Sequence, residues 1–431
     1  MATRAQTRTN LVVSRVVPPV LLGIVAYASY AITKPLCIDY LLYPLPSHNI
    51  HSRRGAGAAI LAVYYVLLIA MVTTYCRLLY TVLRNTGYLP YGQERIDSDQ
   101  EKLKSSDSRG SRSRRGARTK KRQTEKKPTK EVDLERGVVS NTEDVAVGNS
   151  LGLEYFYQKD VYVCQEDGRP PYCSKCCQFK TDRAHHCREV DRCVRKMDHF
   201  WLEEWLGKTS FKFFIQFVFY TAVFCFFTLI VSAYFLSELR RRSGDVNAHW
   251  IVCIVLSGLF GFFSGGMTLS AVQMALFNLT TIESLNKNTH VWILAIRVPE
   301  HLLDRLWVND SPWTPSFKMV TYPPRTLQNL HPYDHSPPER HVFAILHTKP
   351  GENPFDLGGM QNMQQIMGYS IAEWLLPLKH SPCTDHSSQE SEFPMGPVVA
   401  RLKQEAGLAP ARNGSSSARS AKHRLRRNGH T

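Results

Sequence analysis

The sequence predicts an all-α integral membrane protein: four transmembrane helices with a small zinc-binding cysteine-rich module between the second and third. Three observations carry that prediction: four long apolar runs, a lopsided distribution of lysine and arginine, and six cysteines clustered within residues 164–193. Over the 431 residues, 43% are hydrophobic, 21% are charged and the formal net charge is +16, so apolar and charged segments are segregated. Eleven cysteines in this length are too sparse for a secreted disulfide scaffold. With 20 Phe, 19 Tyr and 7 Trp, wholesale disorder is excluded. The first apolar run leads into Thr33-Lys34-Pro35, which is no small-residue cleavage site, so no cleavable signal peptide is expected.

A helix needs about 20 apolar residues to cross a hydrocarbon core. The first span is expected from about Val16 to Ile32, with Pro18-Pro19 in its first turns, where helix geometry tolerates proline. The second runs from about Ala56 to Cys76, flanked by Arg53-Arg54 and Arg77. A third, dense in Phe, covers Phe213 to Phe235. The fourth covers Ile251 to Phe277 and carries Gly258, Gly261, Gly265 and Gly266, which let helices approach closely. Between the second and third spans lie Lys102, Lys104, Arg109, Arg112, Arg114, Arg115, Arg118, Lys120, Lys121 and Arg122, which orients that segment and both termini to the cytosol. Arg240-Arg241-Arg242 then falls on the opposite side, against the rule.

The resulting division is 1–93 for the first two spans, 94–150 for a disordered basic cytosolic insertion, 151–210 for the cysteine-rich domain, 211–277 for the last two spans, 278–397 for a cytosolic C-terminal region and 398–431 for a disordered basic tail. The basic stretches are suited to anionic membrane lipids; between two spans they make a poor nucleic-acid surface, and no nucleic-acid partner is expected. His380 and Cys383 lack metal spacing with a second pair, and Arg325 after Pro323-Pro324 stands alone.

The cysteine-rich stretch reads Cys173-Ser174-Lys175-Cys176-Cys177, then His185-His186-Cys187, then Cys193. Two thiolates on a short hairpin, closed by a later His and Cys, suit a tetrahedral Zn²⁺ site. Such a site can supply on the order of 10 kcal/mol of folding energy to a segment with little core.

This stretch, with Lys180, Arg183, Val194 and Met197-Asp198-His199, resembles the cysteine-rich domain of DHHC protein S-acyltransferases (palmitoyltransferases). Three further elements resemble that family in order and membrane placement. Asn85-Thr86-Gly87-Tyr88-Leu89-Pro90 follows the second span like its DPG motif. Thr280-Thr281-Ile282-Glu283, with Asn278 and Asn286, follows the fourth like its TTxE motif. Asn353-Pro354-Phe355-Asp356-Leu357-Gly358, with Asn362, resembles its C-terminal NPYDLG element. The extra Cys177 and Phe200 suggest a divergent fungal branch.

The resemblance implies transfer of a long acyl group, palmitoyl foremost, from acyl-CoA to protein cysteines by a two-step route, in a multi-pass protein of the endomembrane system. It implies zinc on Cys173, Cys176, His186 and Cys193, and structural roles for Thr280, Thr281, Glu283 and Asn353. A second zinc site would need a cysteine where Val190 stands, so one zinc is expected. Asp198 and His199 map onto the family's catalytic carboxylate and base. The nucleophile does not map at all: the family's Asp-His-His-Cys-Pro-Trp is here Asp198-His199-Phe200-Trp201, two residues short and without the cysteine. Three readings stay open: an error in the gene sequence around Leu202-Glu203-Glu204-Trp205-Leu206, a catalytically dead membrane adaptor that keeps the zinc fold, or use of another thiol.

Overall fold

A computed structural model describes residues 4–44, 51–84, 87–112, 150–187, 191–196, 210–306, 316–322, 340–384 and 390–409. Helix α1 (Arg4–Ala31) passes into a π-wound stretch, Ile32–Leu42, at Pro35, which has no N–H to give a regular ladder. Then follow α2 (Arg54–Arg84), α3 (Gln93–Arg112), α4 (Ser150–Tyr157), β1 (Val161–Val163), the hairpin β2 (Tyr172–Cys173) and β3 (Gln178–Phe179), and the pair β4 (His185–Cys187) and β5 (Arg192–Val194). After these come α5 (Phe211–Ser243), α6 (Ala248–Phe277), α7 (Thr281–Leu285), β6 (Ile293–Arg297), α8 (Glu300–Leu306), β7 (Lys318–Tyr322), β8 (His341–His347), α9 (Gly359–Met367), α10 (Ile371–Leu375) and α11 (Pro397–Glu405).

Four segments are long and apolar enough to cross a membrane: Val16–Leu42, Arg54–Arg84, Phe211–Ser243 and Ala248–Phe277. They fit a multi-pass membrane protein. Their outward faces carry the exposed side chains of Leu22, Ile69, Ile230, Phe262 and Leu269, as suits lipid-facing helices. Inside, Tyr40, Tyr64, Phe224, Phe235 and Trp250 form a buried aromatic cluster. At Gly261 helices α5 and α6 meet so closely that a Cβ there would lie 3.2 Å from that of Cys225. The arginines at the end of α5 are partly neutralised: Glu238 pairs with Arg53 at 2.7 Å and with Arg242 at 2.8 Å.

Outside the spans the all-α expectation fails. Four antiparallel strands form one sheet in the order β1-β6-β8-β7. Val161 pairs with Ile296, Ile296 with Ala344, and Ala344 with Met319. One face packs Val161, Leu294 and Ile296 against Leu302 of α8 and Val399 and Leu402 of α11; the other packs Tyr162, Ala295, Phe343 and Ile345 against Phe156 and Tyr157 of α4. Because both faces are covered, β6 reads as an unbroken apolar run without the alternation that marks a half-buried strand.

Two boundaries move as well. The polar insertion expected from residue 94 begins as helix α3, whose Arg95 pairs with Asp99 one turn on; residues 113–149 lie outside the described residues. The tail expected from residue 398 starts instead with α11, anchored by Val399, Leu402 and Leu408 in the sheet core; residues 410–431 lie outside the described residues.

Candidate metal centre and the hub that docks it

Two short hairpins build the centre. In the first, Tyr172 pairs with Phe179 and Cys173 with Gln178, and Cys177 takes a left-handed backbone (φ 53°), turning the chain so that Cys173 and Cys176 share one side. In the second, His186 sits directly opposite Cys193, and directly opposed residues project to the same face. The ligand atoms of Cys173, Cys176, His186 and Cys193 all lie within 4.8 Å of one another. His186 Nδ1 is 3.5, 3.3 and 3.9 Å from the sulfurs of Cys173, Cys176 and Cys193. A tetrahedron with metal–sulfur bonds of about 2.3 Å and a metal–nitrogen bond of about 2.0 Å has sulfur–nitrogen edges of roughly 3.5 Å. The residues therefore fit zinc. The other ring nitrogen, Nε2, lies 3.4 Å from Asp191 Oδ1, placing a carboxylate behind the ligand histidine.

All three thiols are buried. Burial, then the neighbouring Cys173, pushes the Cys193 thiol well up, and burial pushes His186 down. For Cys173 burial acts upward too, but the backbone N–H groups of Cys176 and Lys175 and the adjoining thiols outweigh it and hold Cys173 low. A dication among the sulfurs would draw the remaining protons off, since thiolate is the ligand form.

The segment after the second span closes over this centre. Leu89 donates its N–H to Cys193 O at 2.9 Å, Arg195 donates to Gly87 O at 3.1 Å, and Gly92 donates to Cys176 O at 2.8 Å. Leu89 packs on Cys173, Cys176 and Cys193. Gly92 has no room for a side chain: a Cβ would fall 1.7 Å from Cys177 O. Arg192 spans the joint, donating to Leu89 O at 3.2 Å with its guanidinium 4.5 Å from the Tyr91 ring. The stretch that resembled the DPG motif is thus a strap on the metal hairpins.

A second cluster fastens the module to the fourth span. Arg183, wholly buried, donates from Nε to Glu283 Oε1 at 2.8 Å and from Nη2 to Oε2 at 2.5 Å. Its remaining donors reach Asn278 Oδ1 at 3.0 Å and Asn278 O at 2.8 Å. Lys196 Nζ donates to Asn278 Oδ1 at 3.1 Å, and Asn278 Nδ2 donates to Phe355 O at 2.7 Å. The guanidinium lies 4.9 Å from the Phe355 ring and 5.4 Å from that of Phe393. Arg183, Lys196 and Asn278 all have positive φ, at 62°, 43° and 46°. Such conformations cost roughly 1–2 kcal/mol each and persist only where surroundings over-determine them.

Glu283 also closes a capping box with Thr280: its carboxylate accepts the Thr280 N–H at 2.9 Å, while Thr280 Oγ1 accepts the Glu283 N–H. Burial acts to raise the Glu283 carboxyl, but Arg183 and these bonds outweigh it and hold it below the usual carboxylate range. Thr281 Oγ1 is buried without a hydrogen-bond partner among the described residues. Asn353 donates to Phe277 O and Asn278 O, and Asn362 donates to Leu276 O, so the two asparagines satisfy the last carbonyls of α6. Nearby, buried Asp182 accepts the Val163 N–H at 2.8 Å and the Ser391 hydroxyl at 2.6 Å, and burial raises its carboxyl to about 6.

Asp198 and His199 lie outside the described residues, as does Val190. Cys187, which a second metal site would have used, is packed among Val194, Tyr88 and Ile282. Gly92, Lys196 and Asp182 escaped the sequence reading; only Gly92 left a signal, in the Tyr-Gly pair that closes the strap.

The family model described as DHHC palmitoyltransferase matches residues 166–288. The chain is 53% identical over 451 residues to "Palmitoyltransferase pfa5" of Aspergillus fumigatus, covering 100% of this chain and 99% of that protein. It is 49% identical to "Palmitoyltransferase pfa5" of Emericella nidulans, covering 95% and 88%. To "Palmitoyltransferase PFA5" of Candida glabrata it is 30% identical over 57% of this chain and 62% of that protein.

Proposed function

The chain belongs to the DHHC palmitoyltransferase family and is a protein S-palmitoyltransferase; from that premise we propose that it takes a long acyl group from acyl-CoA and passes it to a cysteine of a substrate protein through a ping-pong route. Asp198 and His199 serve as orienting carboxylate and base, and a single zinc is held by Cys173, Cys176, His186 and Cys193. Thr280, Glu283 and Asn353 dock the module on the membrane helices; Thr281 stands in the same turn. Both termini and the module face the cytosol of an endomembrane compartment, where acyl-CoA and substrate proteins meet the bilayer.

One observation carries this reading. The four ligand atoms sit within 4.8 Å of one another on hairpins strapped to the segment after the second span and bolted to the end of the fourth, which supports a metal-clamped module held against the membrane helices. When bound, zinc would supply folding energy and fixed geometry. The chemistry belongs to side chains: a neutral His199 imidazole takes a thiol proton, and Asp198 fixes its tautomer and steadies the cation. The thiolate then attacks the thioester carbonyl; the carbon–sulfur bond to CoA breaks as the new thioester forms, and the CoA sulfur takes the proton back.

The thiol for that attack is missing from Asp198-His199-Phe200-Trp201. All eleven cysteines are described, and none in the module stands ready. Cys173, Cys176 and Cys193 belong to the candidate metal quartet, Cys164 and Cys187 are enclosed, and the sulfur of Cys177 turns back on Ser174 O at 3.5 Å. That inventory favours a second reading, a zinc-containing membrane adaptor that has lost catalysis. Sequencing genomic DNA and transcript across codons 196–212, together with labelling of purified protein by palmitoyl-CoA, separates the two. A Cys codon between Phe200 and Trp201 and a hydroxylamine-sensitive acyl-enzyme support transfer. A verified transcript without that codon, and no thioester, supports the adaptor.

A further inference from the structure

Acyl transfer gives no account of a basic cluster where the third span meets the C-terminal segment. Lys212, the second residue of α5, is wholly buried, and its Nζ has no hydrogen-bond partner among the described residues. Arg77, from α2, also leaves its Nε without one. Arg77 Nη2 lies 3.5 Å from His380 Nε2, and its guanidinium lies 5.3 Å from the Phe213 ring, which His380 meets edge-on at 5.5 Å. Burial, then Arg77 and Lys212, push the His380 imidazole down toward neutrality. The neighbouring carboxylate, Glu373, is engaged elsewhere, accepting the Tyr369 N–H at 3.0 Å and lying 3.3 Å from Lys379. An ammonium that is withdrawn from water and whose nearest carboxylate is shared with Lys379 is costly, so an anion would complete the cluster.

The segment carrying His380 is built for an apolar medium. Ile371 is 77% exposed and Leu378 64%, with Leu375 and Leu376 about half exposed between them. The carbonyls of Glu373, Trp374 and Leu376 all accept from Gln216 Nε2, at 3.1, 3.0 and 3.3 Å. Tyr220 Oη donates to Leu375 O at 2.9 Å. Both donors sit on the third span, roughly 8 and 14 Å along it from Phe211 at 1.5 Å per residue. Water would satisfy such carbonyls without help; hydrocarbon leaves them to partners within the protein.

We propose that Arg77, Lys212 and His380 form a phosphate site for an anionic lipid, with residues 371–378 wedged into the leaflet on the side of the cysteine-rich module. Lys212 supplies charge from behind, Arg77 presents donors, and neutral His380 donates a ring N–H. The wedge holds the cluster at headgroup depth. The phosphates of CoA share the same chemistry, so the test separates the two sources.

The full chain is reconstituted in nanodiscs of phosphatidylcholine with or without phosphatidic acid, and thermal unfolding and retained lipid (by native mass spectrometry) are measured. Wild type gains stability with phosphatidic acid and retains it. Lys212→Met melts at or above wild type in phosphatidylcholine alone, because an apolar side chain replaces an unpaired buried ammonium, yet shows no gain with phosphatidic acid. Arg77→Gln lowers retention by about fivefold, the worth of one basic side chain near a charged membrane surface. Arg241→Gln, on the opposite face, changes neither. A photoreactive benzophenone residue at position 378 labels lipid chains. The proposal is overturned by an undiminished gain in Lys212→Met, by displacement of phosphatidic acid with unacylated CoA, or by a position-378 probe that labels no lipid.

Discussion

Replacing Glu283 by Gln tests whether the Arg183 hub holds the metal module on the membrane helices. The substitution keeps the volume, and the amide oxygen can still accept the Thr280 N–H that now reaches Glu283 Oε2 at 2.9 Å. What disappears is the charge opposite a guanidinium with no exposed surface. Breaking a buried pair from one side costs about 3–5 kcal/mol, because the other charge stays buried. Asn278 keeps two bonds to Arg183, so the lower figure applies. About 3 kcal/mol is roughly a 150-fold rise in the local opening constant at 1.4 kcal/mol per tenfold. Native-state hydrogen exchange in detergent at neutral pH reads it directly on the amides of β4, β5 and α7. Those amides should exchange faster by about two orders of magnitude, while the interiors of α5 and α6 stay protected. Arg183→Met combined with Glu283→Leu should restore part of the protection, since the guanidinium is no longer buried opposite a lost carboxylate while Lys196 keeps its bond to Asn278. Acceleration below about fivefold in Glu283→Gln would refute the reasoning. The pH dependence carries the same sign: the depressed carboxyl stabilises above the ordinary Glu value and loses that contribution as pH falls through its folded value.

Further outcomes are expected elsewhere. Purified protein should contain one zinc per chain, and chelation or Cys173→Ser with Cys176→Ser should expose residues 164–196 to protease; metal-free protein with unchanged cleavage would count against the centre. Gly92→Ala should loosen the strap and lower zinc retention at least tenfold, because its Cβ would meet backbone 1.7 Å away, which cannot swing aside. For Asp182, raised to about 6 by burial, the folded chain binds the proton more tightly than the unfolded chain does. Its contribution therefore falls by about 3 kcal/mol as pH rises from about 4 to about 6, and Asp182→Asn should flatten that limb of a stability profile. Asn353→Ala with Asn362→Ala should fray the last turn of α6 in hydrogen exchange, since three carbonyls lose side-chain donors.

The spans were legible because hydrocarbon thickness imposes a length and a composition that need no partner to be recognised. The expected spans 16–32 and 213–235 fall within the helical stretches Val16–Leu42 and Phe211–Ser243, the first running ten residues further than composition suggested. Half of the candidate metal quartet was legible for a related reason: Cys173 and Cys176 are three residues apart, whereas His186 and Cys193 came from the family resemblance, and strand register sets those two opposite each other. The sheet was hidden because its strands come from residues 161–163, 293–297, 318–322 and 341–347, each too short to signal alone and covered on both faces. Helix α11 was hidden in a polar tail, where Val399 and Leu402 mean nothing until a sheet stands opposite them.

The sequence by itself determined which segments are long and apolar enough to cross a membrane, because that depends on local composition, and its resemblance to the DHHC family pointed to the four candidate metal ligands and to the thiol missing beside His199. The tertiary structure alone decided that Arg183 and Glu283, a hundred residues apart, share one buried ion pair, that Gly92 seals the metal hairpin, and that Arg77, Lys212 and His380 converge. Such contacts take their energy from desolvation and geometry between distant segments, and neither quantity exists until the chain has folded.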